Sequence, residues 1–192
     1  MYLSRLVLNP LSPEARRDLA NPYELHRTLS RHISNAPGRF LWRLEPTRQP
    51  TLLVQSLSPP DWDRLEEEMP GYCLRTPEWK EFNPRLAQGM ELRFRLRANP
   101  SVKRDGKRHG LNSPEEQMAW LKRKGEAHGF AVLAATATDE RLIEARKGDH
   151  RIKIASVLYD GILRVADPGL LLDALMTGIG PAKGFGFGLL SL

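Results

Sequence analysis

Along this chain the hydrophobic repeat alternates between the two-residue period of strands and the 3.6-residue period of helices, in the same order twice. That duplication constrains the fold more than any single motif. Tyr2–Leu8 reads as a strand, Pro22–Ile33 as a helix, Phe40–Glu45 and Thr51–Leu57 as a strand pair, and Pro60–Met69 as a second helix. A short strand at Tyr72–Arg75 is expected to close this half. After the Asn83-Pro84 and Gln88-Gly89 breaks, Glu91–Ala98 reads as a strand and Pro114–Lys124 as a helix, with Ser113 and Glu116 as its capping box. Phe130–Ala135, Leu142–Arg146 and Ile152–Leu158 follow as strands, Pro168–Met176 as a helix and Phe185–Leu190 as a final strand.

Each half therefore runs β-α-β-β-α-β, with extra strand material in the second, and no strict sequence repeat relates them. The expected fold class is α+β: two tandem ferredoxin-like domains, residues 1–85 and 90–192, the second ending in a glycine-rich loop. With 192 residues, 41% of them hydrophobic, the chain has material for two small cores. The single cysteine, Cys73, excludes an internal disulfide and a cysteine-based metal cluster. No signal-peptide pattern or membrane-length apolar run occurs, so a cytoplasmic protein with no membrane association is expected.

Charge narrows the partner. The formal net charge is +6, and it is uneven: residues 1–90 hold 12 Lys and Arg against 11 Asp and Glu, residues 91–192 hold 17 against 12. An excess of this kind favours an anionic partner, and nucleic acid is the commonest.

Three segments could carry chemistry. Asn21 as N-cap and Pro22 at the first position fix the start of a helix on which Leu25, Leu29 and Ile33 share one side. Tyr23, His26, Arg27, Ser30 and Arg31 spread over the other. Taken alone, this is the pattern of a solvated face with a histidine flanking the core. The second segment, Met90–Pro100, alternates strictly, with Leu92, Phe94 and Leu96 on one face and Arg93, Arg95 and Arg97 on the other. Alternate residues stand about 6.6–7 Å apart, comparable to the phosphate repeat of a nucleic-acid strand. An edge strand using arginine for solubility has the same pattern. Lys103–Arg108 adds positive charge, as does Arg146–Lys153, a hairpin-like run holding Arg146, Lys147, Arg151 and Lys153.

The third segment holds Gly178, Gly180, Gly184, Gly186 and Gly188 around Lys183. It lacks both the Gly-Lys-Ser/Thr ending of a P-loop and the G-x-G-x-x-G of a dinucleotide site, which disfavours a nucleotide cofactor. Lys183–Phe187 begins like the aromatic RNA-binding motif of RRM domains, but Gly188 and Leu190 break it. A glycine loop that lets another backbone approach closely, followed by a strand with Phe185 and Phe187 in the core, accounts for it better; a tight structural turn is the plain alternative.

Taken together, Met1–Ser4, Tyr23–His26, Phe94–Pro100, Gln117–Leu121, Gly178–Lys183 and Gly188–Leu192 resemble the CasE family of CRISPR repeat-RNA endoribonucleases, over the whole chain. The resemblance implies recognition of a CRISPR repeat stem-loop, one cut at the stem base, and residence with the guide RNA and other subunits in the Cascade complex. It also implies that His26 is catalytic, with Tyr23 beside it. A lysine assists in some relatives; Arg31 stands near that place here, and arginine stabilises charge but hardly exchanges a proton.

RNA carries its own nucleophile, so such a reaction needs a base for the 2′-hydroxyl and an acid for the departing 5′-oxygen, with no metal or cofactor. An imidazole, titrating near 6.5 in model peptides, can serve in either role; a phenol, near 10, stays protonated and donates. Arg27 and Arg31 are positioned to offset phosphorane charge. Arg93, Arg95, Arg97, Arg146, Lys147, Arg151, Lys153 and Lys183 are the expected RNA contacts. The competing reading is a non-cleaving RNA-binding module. A metal-dependent nuclease is disfavoured because no carboxylate or histidine cluster has ligand spacing.

Overall fold

The structure is a computed structural model that describes residues 1–33, 40–147 and 150–192, apart from the side chains of Glu140, Lys147, His150 and Arg151. The chain is a mixed α/β protein whose contacts divide it into two compact units. The first comprises Met1–Asn83, Ala145–Arg151 and Gly184–Gly186; the second comprises Pro84–Glu144, Ile152–Lys183 and Phe187–Leu192.

In the first unit, β1 (Tyr2–Val7), β2 (Leu41–Glu45), β3 (Thr51–Ser56) and β4 (Glu78–Glu81) form one antiparallel sheet in the order β2-β3-β1-β4. Helices α1 (Pro13–Ala20), α2 (Pro22–His32) and α3 (Trp62–Glu68) belong to the same unit. Its core gathers Leu6 and Leu8 from the first strand, Leu25 and Leu29 from α2, Trp42, Leu52 and Val54 from the middle strands, and Trp62 and Leu65 from α3. Leu25, Leu29 and Ile33 are buried, as the helical repeat of α2 requires.

Two features of this unit differ from expectation. Helix α1 is an addition: Ser12 caps it by accepting from the Ala15 N–H at 3.3 Å and Pro13 opens it, but its buried positions are only Ala15 and Asp18. With a carboxylate where an apolar residue would stand, the periodic signal disappears. Buried Asp18 is held by the Tyr72 hydroxyl at 2.8 Å and the Arg17 guanidinium at 2.8 Å. The closing strand is not Tyr72–Arg75, where only a Leu8–Cys73 bridge forms, but Glu78–Glu81. All four of its residues are exposed, so it has no apolar face to reveal it; its register is tied by Arg5 and Glu78, paired across the strands at 2.7 Å. Burial pushes the Cys73 thiol up to about 12, so this lone cysteine is a packing residue.

In the second unit, β5 (Glu91–Ala98), β8 (Phe130–Lys147), β9 (His150–Val165) and β10 (Leu190–Ser191) form a sheet in the order β10-β5-β9-β8. Helices α4 (Pro114–Ala127) and α5 (Pro168–Thr177) complete it, and β6 (Ser101–Arg104) and β7 (Lys107–Gly110) make a separate hairpin turned at Asp105 and Gly106, both with positive φ. The three strands expected between Phe130 and Leu158 are two long ones. The final strand is also shorter than expected: a 3₁₀ turn covers Lys183–Phe185, and only Leu190–Ser191 pairs, with Leu96 and Arg95. Gly186 and Gly188 have φ of 86° and 88°, left-handed conformations that an extended ladder cannot hold. Phe187 is fully buried, whereas Phe185 is only partly so.

Candidate active site and basic surface

Helix α2 positions the candidate chemistry, and Asn21 fixes where it begins. The Asn21 Oδ1 accepts from the Tyr23 N–H at 3.2 Å, so the helix starts with Tyr23 and His26 three residues apart on neighbouring positions. The same side chain has a second role. Its amide donates to the Arg146 carbonyl at 3.1 Å, and its Oδ1 accepts from the Arg146 N–H at 3.2 Å. The helix start is thus tied to the backbone of a basic segment of the same unit.

His26 lies at the border of the buried face and is partly exposed. Its ring stacks on Phe40, with centroids 4.6 Å apart and planes 18° from parallel. The indole N–H of buried Trp42 donates to His26 Nδ1 at 3.3 Å. Nε2 has no hydrogen-bond partner among the described residues. Gly184 lies alongside: a methyl added there would stand 3.7 Å from Nε2, in ordinary contact, whereas one added at Gly186 would stand 2.6 Å from the Trp42 ring. Of the glycine stretch, then, Gly184 and Gly186 flank the histidine and its indole partner. Gly178 caps α5, and Gly180 packs on Trp120. Burial lowers the pKa of His26 below that of a free imidazole, because the charged ring loses solvation.

The other expected residues of α2 differ in their surroundings. Tyr23 is partly exposed. Arg27 pairs with Glu24 at 2.9 Å and stays half exposed, and Arg31 is exposed. A second histidine on the helix, His32, is 1% exposed, and both of its nitrogens are engaged: Nδ1 with the Thr28 carbonyl at 2.8 Å, Nε2 with the Glu68 carboxylate at 3.2 Å.

The arginine row on β5 is not a uniform surface. Arg93 is exposed and has no ion pair among the described residues. Arg95 pairs with Asp160 through two hydrogen bonds, at 2.7 and 3.1 Å. Arg97 departs from expectation: it is 3% exposed, with Asp139 at 2.8 Å and the Ser156 hydroxyl accepting at 3.0 Å. A cation buried and neutralised in this way holds strands together and is a poor phosphate contact. Strict alternation reports which face a residue occupies, and here part of the polar face is covered. Arg146 is exposed, and Lys153 is exposed with a loose pair to Glu144 at 3.6 Å. Lys183 is partly exposed. Gly148 and Asp149, and the side chains of Lys147 and Arg151, lie outside the described residues.

Sequence reasoning missed Phe40, Trp42 and the second role of Asn21. The aromatic pair has the alternation of an ordinary core strand, and no local signal marks it as a histidine's surroundings. Among the described residues no helix is long and apolar enough to cross a membrane.

The family model described as CRISPR associated protein matches residues 1–192. The CRISPR-associated endoribonuclease Cse3 of Thermus thermophilus is 46% identical over an alignment 213 positions long, which covers 100% of this chain and 99% of the relative. The CRISPR system Cascade subunit CasE of Escherichia coli is 34% identical, covering 100% of this chain and 98% of the relative. The solved structure of Thermus thermophilus Cse3 bound to an RNA representing a pre-cleavage complex superposes with a TM-score of 0.90 at 44% identity, covering 99% of this chain and 97% of that one. With a family match over its full length and two relatives above 30% identity, this chain belongs to the CRISPR-associated protein family.

Proposed function

We propose that this protein is a metal-independent endoribonuclease that recognises the stem-loop of CRISPR repeat RNA, cuts the precursor at the stem base, and stays bound to the mature guide RNA among the subunits of a cytoplasmic Cascade complex. The observation that carries the reading is His26: a partly exposed imidazole with one nitrogen engaged and the other without a partner among the described residues, on a chain 46% identical to an endoribonuclease. We further infer that each unit is a ferredoxin-like domain. The orders β2-β3-β1-β4 and β10-β5-β9-β8 support this, since both place the first strand of the four-stranded sheet between its third and fourth.

In the proposed reaction the 2′-oxygen loses its proton and forms a bond to the adjacent phosphorus, the bond from phosphorus to the 5′-oxygen breaks, and that oxygen takes a proton. His26 and Tyr23 handle these protons, while Arg27 and Arg31 offset the phosphorane charge. The upstream product ends in a 2′,3′-cyclic phosphate and the downstream product begins with a 5′-hydroxyl. Arg93, Arg146, Lys147, Arg151, Lys153 and Lys183 make phosphate contacts, with Arg95 contributing through its exposed side and Arg97 excluded by its burial. Replacing Arg146, Lys147 and Arg151 by glutamate weakens stem-loop binding and lowers its salt dependence by about one unit of log–log slope for each phosphate the protein no longer neutralises.

Incubating repeat RNA with the protein in EDTA and in magnesium, followed by analysis of both product ends, tests the activity. Equal cleavage with cyclic-phosphate and 5′-hydroxyl ends is expected. Binding without cleavage would instead favour a non-cleaving RNA-binding module, and cleavage that fails in EDTA with a 5′-phosphate product would indicate a metal-activated water.

A further inference from the structure

Trp42 bears on which proton His26 carries. An indole N–H is a donor only, so the atom it meets must offer a lone pair. With Nδ1 accepting from Trp42 at 3.3 Å, the neutral ring keeps its single proton on Nε2. A ring in that state can donate a hydrogen bond from Nε2 but cannot accept a proton there. The imidazolium, which could give up the Nε2 proton, carries a proton on Nδ1 as well, and that N–H would face the indole N–H. Removing the Nε2 proton from the imidazolium leaves the Nδ1–H form, which faces the same conflict. Both states between which Nε2 exchanges a proton therefore exclude the Trp42 hydrogen bond.

We propose that Trp42 is a tautomer lock on His26: it holds the free enzyme's imidazole with its proton on Nε2, and cleavage requires that this hydrogen bond be given up when RNA is bound. Trp42 acts as a positioning residue with a restraining effect, and the inference rests on the catalytic role of His26 proposed above. The surroundings support a ring held for this purpose. Phe40 stacks on one face of the imidazole, Trp42 is 2% exposed, and Gly186 packs against the indole where a methyl would stand 2.6 Å from it. The Nε2 edge, in contrast, lies beside the glycine at 184, where even an added methyl would stand 3.7 Å from it.

The test reads the tautomer directly, by nitrogen-15 NMR of the histidine ring in the full chain, free and bound to repeat RNA carrying a 2′-deoxy nucleotide at the scissile position. In the free protein, His26 Nδ1 should be unprotonated and Nε2 protonated. With RNA bound, Nδ1 should gain a proton and the Trp42 indole resonance should lose its hydrogen-bonded shift. Trp42→Phe, checked for folding by its melting curve, should populate both tautomers in the free protein. It should also raise the cleavage rate at RNA concentrations well below saturation by about 2- to 12-fold, because the free protein no longer has one neutral hydrogen bond to give up. A protonated Nδ1 in the free wild-type protein overturns the proposal without any variant, as does slower or unchanged cleavage by a folded Trp42→Phe protein whose ring has been released. Either result, combined with cleavage slowed by ~10²- to 10⁴-fold in His26→Ala, would leave the proposed activity standing and remove only the lock; cleavage at the wild-type rate in His26→Ala would remove the activity's assignment instead.

Discussion

The two halves of helix α2 each carry a histidine, and they are built for different purposes. At the C-terminal end, His32 is enclosed, with an oxygen facing each nitrogen, so every polar atom of the ring serves the fold. Six residues earlier, His26 has one nitrogen on an indole and the other without a partner among the described residues. Residue type and helical position make the two look alike in the sequence; what separates them is the number of nitrogens left for a substrate. A nitrogen already satisfied by the protein must lose its own partner before it can meet a substrate, whereas an open one can meet it directly.

Replacing each histidine by alanine is the strongest way to break this contrast. His26→Ala should lower the cleavage rate by ~10²- to 10⁴-fold, the usual worth of acid–base help, while stem-loop affinity changes little. His32→Ala should do the reverse: it removes the contacts to the Thr28 carbonyl and the Glu68 carboxylate and opens a cavity at a buried position, costing about 1–3 kcal/mol of stability, with cleavage per folded molecule intact. Denaturant melts and single-turnover rates on both variants measure the two effects. A His32→Ala protein that folds normally but does not cleave would mean that the comparison is drawn at the wrong residue.

The glycines beside the site provide a smaller, sharper pair. Gly186→Ala meets both a φ of 86° and the Trp42 ring at 2.6 Å, so it should cost about 1–3 kcal/mol and disturb the ring that holds His26. Gly184→Ala places its methyl 3.7 Å from the imidazole, an ordinary contact, and should stay within about 0.5 kcal/mol of wild-type stability. Equal effects at the two positions would show that the indole is not held in place by the glycine.

Acid should act more weakly, and with a fixed sign. Burial lowers the pKa of folded His26, so between that value and about 6.5 the unfolded chain binds more protons than the folded one. Stability from this group is present above 6.5 and is lost as pH falls through the lowered value. In His26→Ala, melts compared between pH 7 and pH 5 should lack that component; an unchanged pH dependence would place the ring in a more solvated setting.

The sequence was most legible where one residue type serves one purpose. The Asn21-Pro22 start of α2, its Leu25, Leu29 and Ile33 stripe, and the capped helix after Ser113 are local signals, and the structure places those elements within a few residues of expectation. It was least legible where partners come from far along the chain. Arg93 and Arg97 occupy equivalent positions in an alternating strand, yet one is exposed and the other pairs with Asp139, more than 40 residues away. Phe40 and Trp42 look like core residues, and they are; their contact with His26 depends on how β2 packs against α2. The edge strand at Glu78–Glu81 has no apolar face, and its only signal was the sheet needing a fourth strand.

The central claim is that His26 serves an attack by the RNA's own 2′-oxygen, and the substrate tests it most directly. Replacing that hydroxyl with hydrogen at the nucleotide on the 5′ side of the cut should stop cleavage completely. It should leave stem-loop affinity almost unchanged, since one hydroxyl contributes about 0.5–1.5 kcal/mol among many contacts. Cleavage of the deoxy substrate at the normal rate would contradict the account, because no nucleophile would remain for the imidazole to serve.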